Sequence, residues 1–267
     1  MDILIPVLTL TGLGLAFGAG LAIAAKRFRV VTDSRIEKVL KKLPGVNCGA
    51  CGMGGCMGFA EGLVGGKCSV EQCVVAKEEA RKEIAAILGV EEKERVKAAA
   101  VLHCNGGNSR VKDKFDYRGP KECIAANLLM QGPKECVYGC IGFGTCARVC
   151  PFGAITMNQE CLPVVDMDKC KACNKCVLAC PKKLFTLLPV KHNVFIACNC
   201  PDSARDTKAV CPVGCIACRL CEKACKHEAI HVIDNLAVID YNKCTSCGDC
   251  VRACPVKCIV FRREGKK

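Results

Sequence analysis

Cysteine runs with a fixed spacing constrain this chain more than any other feature. Two runs follow the pattern C-x2-C-x2-C-x3-C-P, and they consist of Cys170, Cys173, Cys176, Cys180 and Pro181, and of Cys244, Cys247, Cys250, Cys254 and Pro255. A third run keeps the four cysteines and replaces the proline by Lys226; it consists of Cys215, Cys218, Cys221 and Cys225. This spacing presents three sulfurs to one 4Fe-4S cluster and sends the fourth to a neighbouring cluster. The runs therefore predict paired iron-sulfur clusters.

Each cluster takes three cysteines from one run and its fourth cysteine from another. In the second half of the chain this rule joins the first three cysteines of each run to the last cysteine of the other, which gives the sets Cys215, Cys218, Cys221, Cys254 and Cys244, Cys247, Cys250, Cys225. By the same rule Cys150 completes the set that begins with Cys170, Cys173 and Cys176. Zinc is disfavoured at these runs because zinc sites commonly use two C-x2-C pairs and histidine.

A fourth run departs from the pattern at one position. It reads CVYGCIGFGTCARVCP from Cys136 to Pro151, and Phe143 occupies the position of the second cysteine. This substitution leaves three cysteines one thiolate short, namely Cys140, Cys146 and Cys180. Cys136 is the nearest unused cysteine, and Gly139 permits a tight reversal between it and the run. We expect Cys136 to be the fourth ligand; a three-iron cluster or an empty site is the alternative.

The remaining cysteines flank the runs or precede them. Four lie in matching flanks of an internal repeat, namely Cys104, Cys123, Cys198 and Cys211. They predict either a sixth cluster across the two halves or buried free thiols, which pack as small apolar groups. No role is predicted for Cys68, Cys161, Cys200 and Cys258. Earlier in the chain, a glycine-rich loop contains Cys48, Cys51 and Cys56, with Cys73 or Cys68 as its fourth ligand.

The N-terminus indicates a membrane protein. Residues 3–25 carry no charge, which at about 1.5 Å per residue is long enough to cross a hydrocarbon core of about 30 Å. Asp2 precedes this stretch and Lys26, Arg27 and Arg29 follow it, the reverse of a secretory signal. We expect a single uncleaved span of the cytoplasmic (inner) membrane, with the rest of the chain on the cytoplasmic side. Disulfides are disfavoured in that reducing compartment.

Charge and motif content exclude other functions. The formal net charge is +13, but each oxidised cluster with four thiolates carries about −2, so six clusters would cancel most of it. Basic runs interleaved with aromatics are absent from the sequence, which disfavours nucleic-acid binding. The sequence contains no phosphate-binding loop and no convincing flavin or nicotinamide fingerprint. We therefore predict electron transfer without catalytic residues on this chain.

These features predict an α+β fold with several parts. The expected order is a transmembrane anchor at 1–30, a small Gly/Cys-rich 4Fe-4S domain at 31–92, a connecting segment at 93–130, and tandem two-cluster ferredoxin-like modules at 131–190 and 191–267. The predicted cofactors are five 4Fe-4S clusters, or six if the flanking cysteines bind one.

This order of features resembles the B subunit of the Rnf complex, the ion-translocating ferredoxin:NAD oxidoreductase of bacteria, in its long form. The resemblance implies a C-x2-C-x4-C-x16-C ligand pattern, which selects Cys73 over Cys68. It also implies reduced ferredoxin as the electron donor, the A, C, D, E and G subunits as partners, and NAD and flavin sites on those other subunits. The alternatives are a polyferredoxin subunit of a membrane-bound hydrogenase or other oxidoreductase, and a structural zinc protein of the membrane.

Overall fold

A computed structural model describes residues 4–27, 33–91 and 96–262. The first helix, α1 (Leu4–Arg27), has the length and composition of a membrane span over Val7–Arg27. Its large apolar side chains, such as Leu8, Leu15 and Leu21, are all exposed. Because exposed apolar area of this size is unfavourable in water, α1 is a candidate for lipid contact rather than for packing within this chain.

The glycine-rich part of the chain folds into a small helical unit. It contains α2 (Ser34–Lys42), α3 (Cys56–Val64), a 3₁₀ turn (Val70–Gln72) and α4 (Glu78–Leu88). Asp33 caps α2 by accepting a 2.8 Å hydrogen bond from the Arg35 N–H. Val39, Phe59 and Ile84 are almost completely buried where the helices meet. Burial of each of these side chains contributes about 1.5–3 kcal/mol.

The remainder consists of two halves with the same order of strands. The first half contains β1 (Ala98–Leu102), α5 (Cys123–Leu128), α6 (Thr145–Arg148), β2 (Ile155–Met157), β3 (Pro163–Val165), α7 (Lys175–Ala179) and β4 (Phe185–Pro189). The second half contains β5 (Val194–Ile196), α8 (Ala204–Val210), α9 (Leu220–Ala224), β6 (Ile230–Ile233), β7 (Leu236–Ile239), α10 (Asp249–Ala253) and β8 (Ile259–Phe261). The expected mixture of helix and strand is confirmed.

Each half is closed by pairing its first strand with its last. β1 pairs with β4 and β5 pairs with β8, while β2–β3 and β6–β7 form the central antiparallel hairpins. The register joins Ala98 to Pro189 and Leu102 to Phe185. β1 lies in the segment expected to be a connector, so a module boundary at residue 131 would cut this sheet. Charge and alanine content predict a linker there. AAAVL instead forms a strand because β4 supplies hydrogen-bond partners for its backbone.

Sulfur forms part of the core of both halves. Cys146 and Cys176 are buried with Leu184 and Phe185 in the first half. In the second half, seven buried cysteines pack with aliphatic residues of β5 to β8, namely Cys198, Cys200, Cys215, Cys221, Cys250, Cys254 and Cys258. Aromatics make up only 4% of the sequence, so the thiols occupy positions that large rings fill in other small domains.

A histidine links the two halves. The ring of His103, which follows β1, places Nδ1 2.7 Å from the Ile196 carbonyl of β5 and Nε2 2.7 Å from Thr186 Oγ1 of β4. Burial lowers the pKa of His103, which favours the neutral ring that can donate from one nitrogen and accept at the other. The cysteines that follow β1 and β5 are thereby held close to each other.

Candidate metal centres

All four cysteine runs have the same backbone conformation. The second and fourth residues after the first cysteine of each run have positive φ, and these residues are Gly142, Gly144, Ala172, Asn174, Ala217, Arg219, Ser246 and Gly248. Residues other than glycine rarely adopt this region, so its repetition indicates a required loop shape. Successive reversals of this kind turn backbone N–H groups towards one centre, as in other anion-binding loops. The run that contains Phe143 has the same shape as the complete runs.

The fourth cysteine of each run has a repeated environment as well. The third residue after it again has positive φ, at Gly153, Lys183, Glu228 and Lys257. The next amide then reaches back to the sulfur: Ala154 N–H to Cys150 Sγ at 3.4 Å, Leu184 N–H to Cys180 Sγ at 3.5 Å, and Ala229 N–H to Cys225 Sγ at 3.4 Å. Amide donors of this kind stabilise thiolate charge and tune a bound cluster.

Two pockets of the second half contain the predicted crossed sets. One is lined by Cys215, Cys218, Cys221 and Cys254, and the other by Cys225, Cys244, Cys247 and Cys250. Cys258 also lines the first pocket, with its Sγ 3.6 Å from that of Cys254. Burial raises the pKa of Cys221 and of Cys250 to about 11. Cys218 and Cys247 are the exposed thiols of these sets.

In the first half, the set predicted around Cys150 is also brought together. Cys173 has Cys150 and Cys170 as electrostatic neighbours, and Cys176 has Cys170 and Cys173. Burial, followed by the charge of these neighbours, raises the pKa of Cys176 to about 12. The crossed arrangement, in which the fourth cysteine comes from another run, is therefore present here too.

The incomplete run receives its fourth thiol from an unexpected residue. Its pocket is lined by four cysteines, namely Cys123, Cys140, Cys146 and Cys180, and Cys136 does not line it. Burial and then the neighbouring charge of Cys123 raise the pKa of Cys146 to about 11. Proximity along the chain predicts Cys136 at this position. A tight turn does form after it, with Gly139 N–H donating to the Cys136 carbonyl at 3.1 Å, but that turn directs the sulfur to another pocket.

Local contacts fix Cys123 beside the run. Its N–H donates to Thr145 Oγ1 at 2.9 Å. Arg148 donates to the Lys121 carbonyl at 3.0 Å and to the Phe143 carbonyl at 2.8 Å, so one guanidinium connects both segments. The Phe143 ring lies 5.5 Å from the ring of Tyr117 and 5.1 Å from Lys121 Nζ. Phe143, which stands where the complete runs have a cysteine, therefore packs against the segment that carries Cys123.

Another pocket lies between the halves. The cysteines that line it are Cys104, Cys136, Cys198, Cys200 and Cys211. Three of the four flanking cysteines predicted as a group meet here, but Cys123 lies in the other pocket. Cys200, for which no role was predicted, is present. Nothing in the cysteine spacing distinguishes Cys123 from Cys136; the strand pairing and helix positions do.

In the glycine-rich unit, two of the loop cysteines lie near Cys73. Cys73 has Cys51 and Cys48 as electrostatic neighbours, and burial raises its pKa. Cys56 begins α3, and its N–H donates to Asn47 Oδ1 at 2.7 Å. Cys68 has only Cys51 of these loop cysteines as an electrostatic neighbour, and it directs its thiol to the Phe59 carbonyl at 3.6 Å. This arrangement favours Cys73 over Cys68 as the fourth member of the set.

The chemistry of the thiols fits metal clusters. Buried thiols with raised pKa values cannot all ionise unless a cation compensates their charge, and a metal that binds them displaces their protons. In the described ranges, no group of three or more His, Cys, Asp or Glu side chains is arranged around a single metal ion. The repeated loops, whose amides turn towards one centre, suit anionic clusters.

Comparison with known families agrees with this assignment. Residues 43–75 match the FeS family of Fe-S cluster domains, residues 162–185 match the 4Fe-4S binding domain, and residues 214–258 match the 4Fe-4S dicluster domain. The fold and the pockets together define a multi-cluster iron-sulfur protein.

Curated relatives identify the family more closely. The chain is 44% identical to the B subunit of the Na⁺-translocating ferredoxin:NAD⁺ oxidoreductase complex of Acetobacterium woodii, over 96% of this chain and 77% of that protein. It is 42% identical to the B subunit of the ion-translocating oxidoreductase complex of Methanosarcina acetivorans, over 96% and 97% of the two chains. A proton-translocating counterpart from Clostridium ljungdahlii is 38% identical over 95% and 90%. The chain belongs to this family of B subunits, which confirms the resemblance found in the sequence.

Proposed function

We propose that the protein is the electron-transfer subunit of a membrane-bound, ion-translocating ferredoxin:NAD oxidoreductase complex. The observation that carries this proposal is a series of cysteine-lined pockets in a chain of the B-subunit family; two of the pockets are lined by four cysteines and one by five. Family membership favours this function over a hydrogenase polyferredoxin. α1 supplies the membrane anchor, and we place the cluster-binding parts on the cytoplasmic side.

Five cysteine sets would hold five 4Fe-4S clusters. The sets are Cys48, Cys51, Cys56, Cys73; Cys123, Cys140, Cys146, Cys180; Cys150, Cys170, Cys173, Cys176; Cys215, Cys218, Cys221, Cys254; and Cys225, Cys244, Cys247, Cys250. When bound, such clusters supply one-electron transfer. The chain provides the thiolates, directs amides such as Ala154 N–H and Ala229 N–H at their sulfurs, and buries the sites enough to limit reorganisation of water.

The exposed thiols suggest where an electron donor docks. Cys218 and Cys247 lie at the surface of the second half. Exposed basic side chains accompany them, with Arg219 next to Cys218 and Lys243 preceding Cys244. Reduced ferredoxin is an acidic protein, so positive side chains beside an exposed cluster would steer it to this face. Electrons would then pass through the two halves to the glycine-rich unit and on to membrane subunits of the complex. The proposed partners are the A, C, D, E and G subunits, and NAD and flavin would sit on these other subunits.

The test uses the full-length protein purified without oxygen. Iron and sulfide analysis should give at least about 20 irons per chain, from five clusters of four. Reduced ferredoxin should bleach the visible absorption, and EPR should show several reduced clusters. Zinc in place of iron, or clusters that ferredoxin cannot reduce while dithionite can, would contradict the proposal.

A further inference from the structure

Five cysteines line the pocket between the halves. Cys104 and Cys136 enter it from the first half, and Cys198, Cys200 and Cys211 from the second. Cys198, Cys200 and Cys211 are buried, and Cys104 and Cys136 are half-buried. None of these five belongs to the five sets above, so the pocket is independent of them.

Four of the five thiols occupy equivalent places in the repeat. Cys104 follows β1 as Cys198 follows β5, and Cys136 and Cys211 each lie four residues before the first cysteine of a run. The hydrogen bonds repeat too. Cys140 N–H donates to Cys104 Sγ at 3.3 Å, and Cys215 N–H donates to Cys198 Sγ at 3.3 Å. Amide-to-sulfur bonds of this kind are the ones found at the fourth cysteines of the runs.

The thiols converge across the boundary between the halves. A Cβ placed on Gly106 would lie 2.9 Å from Val111 Cγ2, 3.4 Å from Cys211 Sγ and 3.8 Å from Cys104 Sγ, so sulfurs from different halves both lie close to this glycine. Across the pocket, a thiol interaction joins Cys136 to Cys200. Gly106 therefore lies where both halves present sulfur, and a side chain in its place would collide with Val111.

A buried cation forms part of the same wall. Lys134 is only 5% exposed, lines the pocket, and donates from Nζ to Asn108 Oδ1 at 2.6 Å. A buried charge is costly unless an opposite charge compensates it. Glu160 and Cys104 both have Lys134 as an electrostatic neighbour. The negative charge of a bound cluster would compensate the positive charge of Lys134.

We propose that Cys104, Cys136, Cys198 and Cys211 bind a sixth 4Fe-4S cluster between the two halves. The type of cluster rests on the function proposed above, but the ligand set rests on this pocket. Cys200 is not a ligand, because its counterpart in the first half is Gly106 and its Sγ lies 3.4 Å from Thr207 Oγ1. Relative to the sequence prediction, Cys136 and Cys123 exchange sites.

The site also has a defined position in the chain of centres. Cys104 accepts from the amide of Cys140, which belongs to the set completed by Cys123. Cys198 accepts from the amide of Cys215, which belongs to a set of the second half. Each half therefore has a cluster ligand whose backbone amide donates directly to a sulfur of this site. A cluster here would lie between the pair of clusters in the first half and the pair in the second.

Iron and sulfide counts on the full-length protein test this site. We expect about 24 irons per chain for the unaltered protein. Cys104→Ala, Cys136→Ala, Cys198→Ala and Cys211→Ala should each lose one to four irons and show either a three-iron EPR signal or one fewer reduced cluster. Cys200→Ala is the matched control from the same pocket and should keep the full count.

Three outcomes would overturn the proposal. One is an iron count near 20 in the unaltered protein, a measurement that does not depend on how any variant folds. Another is a full count in all four alanine variants. The third is loss of iron in Cys200→Ala with retention in Cys198→Ala. In each case ferredoxin would still reduce at least five clusters of the unaltered protein, so failure here is distinguishable from failure of the proposed function.

Discussion

The backbone N–H of Cys123 donates to Thr145 Oγ1 at 2.9 Å, which fixes the first turn of α5 against the start of α6. This contact places the Cys123 thiol in the pocket of Cys140, Cys146 and Cys180. A run that lacks its second cysteine thus shares its pocket with a cysteine from an earlier helix. The loop needs no change of shape, because Gly142 and Gly144 keep the two positive φ values of the complete runs.

Removal of this thiol should affect one cluster. In Cys123→Ala we expect the cluster of Cys140, Cys146 and Cys180 to become a three-iron cluster or to be lost, a decrease of about one to four irons per chain. EPR of the oxidised protein detects the three-iron form. Cys161→Ala is the control from the same half, since Cys161 accepts from Asn108 at 3.2 Å and lies outside the four-cysteine pockets. An unchanged cluster count in Cys123→Ala would contradict the assignment.

A second substitution offers a rescue. Phe143→Cys restores the spacing C-x2-C-x2-C within a loop that already has the required backbone conformation. In the double variant Cys123→Ala, Phe143→Cys, we therefore expect the iron count and the EPR spectrum of the unaltered protein. The rescue should fail with Phe143→Ser in the same background, because a hydroxyl is a much poorer ligand for iron. Equal spectra for the Cys and Ser double variants would argue against a ligand at this position.

The complete runs were predictable from sequence because all their local requirements lie within one short stretch of chain. For the second half, Cys215 and Cys254 share one pocket, and Cys225 and Cys244 share another, as the crossed rule predicts. The fourth ligand of the incomplete run was not predictable in this way. Chain distance favoured Cys136, whereas the position of Cys123 depends on contacts of α5 with α6 and on the Phe143 ring. Spacing carries no information about such tertiary contacts.

The anchor should be separable from the clusters. All large apolar side chains of α1 are exposed, so the helix buries none of them against the rest of the chain. A variant that begins at Asp33, expressed without partner subunits, should therefore move from the membrane to the soluble fraction and keep its iron content. Ultracentrifugation with iron analysis of both fractions measures this. A variant that stays with the membrane would place the attachment elsewhere, and a loss of iron would show that α1 supports a site.

The buried lysine should set a redox potential. Lys134 lines the pocket between the halves, and its positive charge stabilises the reduced, more negative form of a cluster there. In Lys134→Met we expect a lower midpoint potential for one cluster, with the others unchanged, in an EPR-monitored titration. Lys112→Met removes an exposed lysine from the same half and should leave all potentials in place. A shift of the potential in the opposite direction would contradict this electrostatic role.

Docking of ferredoxin should depend on the basic residues of the second half. Arg219 is exposed next to the exposed thiol Cys218, and Lys243 is exposed next to Cys244, which belongs to the same set as the exposed thiol Cys247. Reversing both charges removes attraction for an acidic partner and adds repulsion, and electrostatic steering changes association rates by about 10-fold or more. For Arg219→Glu, Lys243→Glu we therefore expect reduction by ferredoxin to slow about 10-fold at low ionic strength, with a smaller difference at high salt because exposed charges are screened.

Stopped-flow absorbance measures this rate. The control is Lys67→Glu, Lys77→Glu, which makes the same change in net charge at exposed positions of the glycine-rich unit. If the two double variants slow equally, net charge alone governs docking and the second half is not the entry face. If only the control slows, ferredoxin enters at the glycine-rich unit, and electrons travel in the reverse order through the chain. A selective effect of Arg219 and Lys243 that fades with salt identifies the exposed clusters of the second half as the point of entry.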